Sequence, residues 1–160
     1  MTEEHAGIRQ LLNRQTKPVK KPQEMTGLAL AYIGDAIWEI FIREHLVQSG
    51  EMKPDRLHKF ATKYVKAKAQ SDVLHMLMQT LSEAEQTIVK RGRNAKSGST
   101  PKNGSLIDYR HATGFESLIG YLYLQGEFDR LQELASIAIA WLERAESQPD
   151  ETMTKKDECR

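Results

Sequence analysis

The stretch Leu28-Ala-Leu-Ala-Tyr-Ile-Gly-Asp-Ala-Ile-Trp-Glu39 decides how this chain is read. Around it, Leu30, Ile33, Ile37, Phe41 and Val47 recur at three- and four-residue steps, the period of one helix face. Thr26 stands where an N-cap belongs and Ser49-Gly50 stops the pattern, so a helix is predicted from Gln23 to about Gln48. Asp35 interrupts its apolar run. A carboxylate there is expensive to desolvate unless it is paired, hydrogen-bonded or bound to metal. A second stretch is built the same way: Tyr109-Arg-His-Ala-Thr-Gly-Phe-Glu-Ser-Leu-Ile-Gly-Tyr-Leu-Tyr-Leu124 holds a single acid, Glu116. Each acid has a glycine nearby, Gly34 and Gly120. A mid-helix glycine costs about 1 kcal/mol relative to alanine, so it marks a packing need. Gly120 lies four residues from Glu116, on the same face. Helices that meet at small residues approach closely, and the two carboxylates are predicted to lie side by side. Such a pair repels, and each raises the other's pKa, unless a cation sits between them. A hard divalent ion with oxygen ligands, Mg²⁺ first, suits it. Spacing alone leaves a second solution open, in which each acid pairs with a buried Arg or Lys.

Outward from these two segments the chain reads as helices throughout. Residues 4–12 form a predicted short helix around Ile8, Leu11 and Leu12, followed by the basic, proline-containing connector Asn13 to Pro22. Pro54-Asp55 opens a helix to about Met78, with a predicted break near Ser71. Leu57, Phe60, Ala61, Tyr64 and Val65 form its apolar face, and Lys59, Lys63 and Lys66 its basic one. Ser82-Glu83-Ala84-Glu85 matches the capping-box pattern and starts a helix to about Arg91. Residues 92–105 form a long loop rich in Gly, Ser and Asn. Helices follow at Leu106–Leu124 and Phe128–Glu146, the last turning Leu131, Leu134, Ile137, Ala138, Trp141 and Leu142 inward. No segment alternates with period two, so the fold class is all-α. The organisation is a short helix and connector over 1–22, one helical domain over 23–146 and a polar tail over 147–160.

Composition bounds the function classes. In 160 residues, 39% hydrophobic and 28% charged, a packed core is feasible and global disorder is excluded. No apolar run approaches the roughly 20 residues that span a bilayer, and the acidic start Met1-Thr2-Glu3-Glu4 is not a secretory signal. One cysteine, Cys159, excludes a disulfide framework and a multi-cysteine metal site. The expectation is a soluble, cytoplasmic protein with no membrane partner. A net charge of +1 hides an uneven distribution. Residues 53–68 and 90–110 each carry six cations against one Asp, whereas 127–151 carry seven acids against two Arg. Basic stretches of this density suit a polyanion. The loop segment Lys90-Arg91-Gly92-Arg93-Asn94-Ala95-Lys96 is the more pointed of the two, because cations mixed with Gly and Asn suit a groove-probing element. The bland alternative is a solvated helix face and a solvated loop.

Tyr32-Ile33-Gly34-Asp35-Ala36 resembles the signature helix of the ribonuclease III family, and Phe115 to Leu124 resembles that family's second acidic helix. The resemblance spans residues 24–140. Arg91 to Lys96, Pro101-Lys102-Asn103 and Tyr109-Arg110 look specifically like the Mini-III ribonucleases, the short members of the family. The 36 residues after Leu124 leave no room for the double-stranded-RNA-binding domain that larger members append. The resemblance implies a single ribonuclease III-type helical domain that forms a homodimer. It implies an Mg²⁺-dependent endoribonuclease that cleaves double-stranded RNA to 5′-phosphate and 3′-hydroxyl ends, in maturation of the large-subunit (23S) ribosomal RNA precursor. Asp35 and Glu116 carry over as catalytic metal ligands. The chain departs from the larger enzymes where these have three further acids, at Leu28, Ala31 and Thr113. Lys59, Lys63, Lys66, Arg91, Arg93, Asn94, Lys96, Lys102, Tyr109 and Arg110 are the expected RNA-binding residues. Among the five histidines, His111 is the one on the second acidic helix, where it could touch a phosphate. Trp38, Tyr32 and Phe41 read as core or dimer-interface residues. The alternative is a non-catalytic ribosomal-RNA-binding protein of the same fold.

Overall fold

The computed structural model describes residues 20–96, 98 and 102–147. The expectations for residues 1–19, for 97 and 99–101 within the loop and for the tail beyond 147 lie outside the described residues. Six helices follow one another: α1 (Gly27–Gln48), α2 (Pro54–Val65), α3 (Ala67–Leu77), α4 (Glu83–Arg93), α5 (Leu106–Gln125) and α6 (Phe128–Glu146). Short 3₁₀ turns at Pro22–Glu24 and Met78–Thr80 complete the secondary structure, and no strand occurs among the described residues. The all-α expectation holds.

The sequence marks most of these boundaries. The Thr26 hydroxyl accepts from the Ala29 amide at 3.1 Å and starts α1. Ser82 and Glu85 close the capping box: the Ser82 hydroxyl accepts from the Glu85 amide, and the Glu85 carboxylate accepts from the Ser82 amide. Arg130 then clamps Glu85 with two bonds of 2.8 and 3.0 Å and reaches the Thr80 carbonyl, tying α6 to the head of α4. Gly126, at φ 77°, ends α5 in the left-handed region that glycine adopts without strain.

Helix α5 is the hub. It packs most extensively on α1, then on α4 and α3. Its only exposed large apolar residues, Leu106 and Ile107, lie in the first turn. At the centre, Trp38 and Phe115 are fully buried and meet edge-on with ring centres 5.0 Å apart. The Trp38 indole N–H donates to the Tyr64 carbonyl at 3.2 Å, so the largest core side chain leaves no polar atom stranded.

Three expectations need correction. The break between α2 and α3 falls at Lys66, which is extended at φ −62° and ψ 149°, and not near Ser71. The buried Gln70 amide donates to the Val65 carbonyl at 3.0 Å and replaces the helical bond lost there. Val47 is exposed, because Leu46 takes the buried position in the last turn of α1. Ile137 is also exposed: the buried stripe of α6 runs through Leu131, Leu134, Ala135, Ala138 and Ile139. In addition, α4 runs two residues past Arg91, to Arg93.

Candidate active site

Asp35 and Glu116 are brought together by glycine. Helices α1 and α5 cross so tightly that a Cβ on Gly34 would overlap the Glu116 carbonyl oxygen and lie 2.8 Å from the Gly120 nitrogen. A Cβ on Gly120 would overlap the Leu30 carbonyl oxygen in the same way. Backbone is therefore packed on backbone, which only residues without side chains permit. A second junction holds the start of α1. The Ser117 hydroxyl donates to the Gly27 carbonyl at 2.8 Å and lies within reach of the Thr113 carbonyl at 2.7 Å. Gly27 and Gly92 touch there through their backbones.

The two acids sit at the mouth of this crossing. Asp35 is exposed and Glu116 half-buried. Burial is the larger cause that pushes the Glu116 carboxyl up to about 8, the Asp35 charge is the second, and a hydrogen bond from Gln70 opposes both. Asp35 is also raised, first by burial and then by Glu39. Among the described residues, neither acid forms a salt bridge to Arg or Lys, so the pairing solution left open by spacing is not the one adopted. A desolvated carboxyl beside a second carboxylate is a poor pair of anions and a good pair of oxygen donors. That donor set fits a hard divalent cation. Among the described residues, no group of three or more His, Cys, Asp or Glu is arranged to hold a metal. Ala31 and Thr113 are buried, and the Thr113 hydroxyl is bonded to the Tyr109 carbonyl. Asp35 and Glu116 are thus the two carboxylates that this crossing offers as oxygen donors.

The other expected site residues divide. Lys59, Lys66, Lys96, Lys102 and Arg110 are exposed, and Arg93 and Tyr109 half-buried. Lys63 is exposed but paired with Glu146 at 3.1 Å. Asn94 caps α4 and is exposed. Arg91 has a structural part. Its guanidinium donates to the Gln23 and Met25 carbonyls at 2.6 and 3.0 Å and fixes the approach to α1. His111 stacks edge-on against His75, ring centres 4.5 Å apart. Burial first, then the charges of His75 and Arg93, hold it below the ordinary histidine range, and its Nδ1 is buried without a partner. A neutral imidazole is a weak phosphate ligand. Sequence reasoning missed Gln70, although a signal is present: an amide opens the stripe Gln70, Val73, Leu74, Leu77, whose other members are apolar.

Comparison with known proteins agrees with this architecture. The Ribonuclease III domain profile matches residues 28–127. The Mini-ribonuclease 3 of Brevibacillus brevis is 53% identical over 124 residues, covering 78% of this chain and 92% of that protein. The Mini-ribonuclease 3 of Symbiobacterium thermophilum is 46% identical, covering 78% and 96%. A crystal structure of a protein from Fusobacterium nucleatum superposes with a TM-score of 0.68 at 33% identity, covering 76% of this chain and 97% of that one. The chain belongs to the ribonuclease III family, as a ribonuclease of its Mini-ribonuclease 3 branch.

Proposed function

We propose that this ribonuclease is an Mg²⁺-dependent endonuclease that cuts double-stranded RNA to 5′-phosphate and 3′-hydroxyl ends, acting on the precursor of large-subunit (23S) ribosomal RNA. The observation that carries the reading is the glycine crossing of α1 and α5, beside which Asp35 stands near enough for its charge to raise the buried Glu116 carboxyl. Asp35 and Glu116 hold the ion. Bound Mg²⁺ supplies an activated water and offsets charge developing on the scissile phosphate. The exposed cations Lys59, Lys66, Lys96, Lys102 and Arg110, with Arg93, grip the RNA backbone, which is read by shape across the minor groove. Asn94 and Tyr109 add polar contacts to the RNA. Two strands need two sites, and each chain has one. The unit that acts is a homodimer in the cytoplasm, joined through the apolar outer face of α1.

The test is long duplex RNA incubated with the full chain, with and without Mg²⁺. Short duplex products that require Mg²⁺ and end in 5′-phosphate support the reading. Duplex bound but left intact at every Mg²⁺ concentration overturns it in favour of a non-catalytic RNA-binding protein of the same fold.

A further inference from the structure

Gln70 is a buried amide whose two ends are used unequally. The side chain is 1% exposed. Its Nε2 donates to the Val65 carbonyl at 3.0 Å, across the break at Lys66, and the amide lies close enough to the Glu116 carboxyl to favour its anion. Its Oε1 has no partner among the described residues. A buried carbonyl oxygen without a donor is a standing cost in free energy, and such exceptions in native structures call for a reason. Filling space is not the reason, since its stripe neighbours Val73, Leu74 and Leu77 are apolar and a leucine has nearly the same bulk. The nitrogen is the useful end. One N–H is fixed on Val65, which anchors the amide plane beside the Glu116 carboxyl.

We propose that Gln70 is a positioning residue for the candidate metal site: it fixes the Glu116 carboxylate so that α1 and α5 present a ready pair of oxygens to a divalent cation. This rests on the reading of Asp35 and Glu116 as metal ligands. It also ties the acid to the C-terminal end of α2, the helix that carries Lys59 and Lys63. Groups that orient a metal's ligands commonly contribute 10- to 100-fold to affinity.

The experiment is Mn²⁺ binding to the full-length protein, followed by electron paramagnetic resonance, for wild type, Gln70→Leu and Glu116→Gln. Thermal unfolding and duplex-RNA affinity without metal are measured on the same samples. Gln70→Leu is expected to weaken Mn²⁺ binding about 10- to 100-fold, with metal-free RNA affinity unchanged and cleavage recovered in part by raising Mg²⁺. Mn²⁺ affinity within twofold of wild type in Gln70→Leu, alongside its loss in Glu116→Gln, overturns the role of Gln70 and leaves the metal site standing. Unchanged affinity in Glu116→Gln removes the metal site itself, and this inference with it. Should Gln70→Leu fail to fold, Gln70→Met, unbranched like glutamine, takes its place. Failure of both to fold shows a structural amide and refutes the proposal.

Discussion

Glu116 carries the chemistry of the site in its protonation. Its carboxyl stands at about 8, against an ordinary value of 4.5, because burial and the Asp35 charge both disfavour the anion. The metal-free folded chain therefore keeps a proton that the unfolded chain releases. This group's contribution to stability is fully present below about pH 4.5 and is lost as pH rises toward about 8. A divalent cation competes with that proton. Mn²⁺ or Mg²⁺ affinity is expected to rise roughly tenfold per pH unit up to about pH 8 and then level off. Proton release measured by calorimetry in two buffers of different ionisation enthalpy checks this: no proton released at pH 7 refutes it. The same residue-scale logic governs substitution. Asp35→Asn and Glu116→Gln keep shape and remove the charge that would hold the ion. Each is expected to abolish cleavage, with the circular dichroism spectrum and duplex-RNA affinity retained. Cleavage near the wild-type rate by either variant removes that residue from the ligand set.

At the scale of elements, the crossing of α1 and α5 is the feature on which the site depends. Gly34→Ala would gain about 1 kcal/mol of helix propensity. The new methyl would meet the Glu116 carbonyl, which is backbone and cannot rotate aside. Overpacking of this kind costs about 1–3 kcal/mol and occasionally more. Net destabilisation by about 2 kcal/mol in urea unfolding is expected, together with weakened metal binding as the helices separate. A Gly34→Ala variant as stable as wild type would show that the crossing adjusts freely. The crossing is legible in the amino-acid sequence. An isolated acid next to a glycine, twice, in apolar helices is a local pattern, and local patterns also mark the Thr26 and Ser82 caps. The break at Lys66 is not legible, because it is compensated from five residues away by Gln70. Arg91 hides a role of the same kind: its guanidinium serves two carbonyls more than sixty residues away in the chain. Roles that depend on tertiary partners leave no periodicity to read.

At the scale of the molecule, two surfaces remain after the core is built. The basic one includes Lys59 and Lys66, which flank Lys63, already paired with Glu146. Removing Lys59 and Lys66 together is expected to lower the salt dependence of duplex-RNA binding by a slope of about two, while Lys63→Ala alone changes it less. Equal effects of all three would show that the pairing does not persist in solution. The apolar surface lies on α1, where Leu28, Tyr32, Ala36 and Ile40 succeed one another at four-residue steps and are all exposed, Tyr32 at 85%. A contiguous stripe of this kind on a small domain marks a protein contact. It runs beside Asp35, one turn from Tyr32, so two chains joined there would hold their carboxylate pairs in a fixed relation across one duplex. Tyr32→Asp with Ile40→Asp places charges on the stripe without touching the core, and exposed substitutions shift monomer stability by only about 0.5 kcal/mol. The double variant is expected to sediment as a folded monomer at micromolar concentration where wild type sediments as a dimer. Its one remaining site per particle then nicks single strands of the duplex and no longer releases double-strand products. A wild-type monomer that makes double-strand cuts, or a double variant that stays dimeric, would place the contact elsewhere on the molecule.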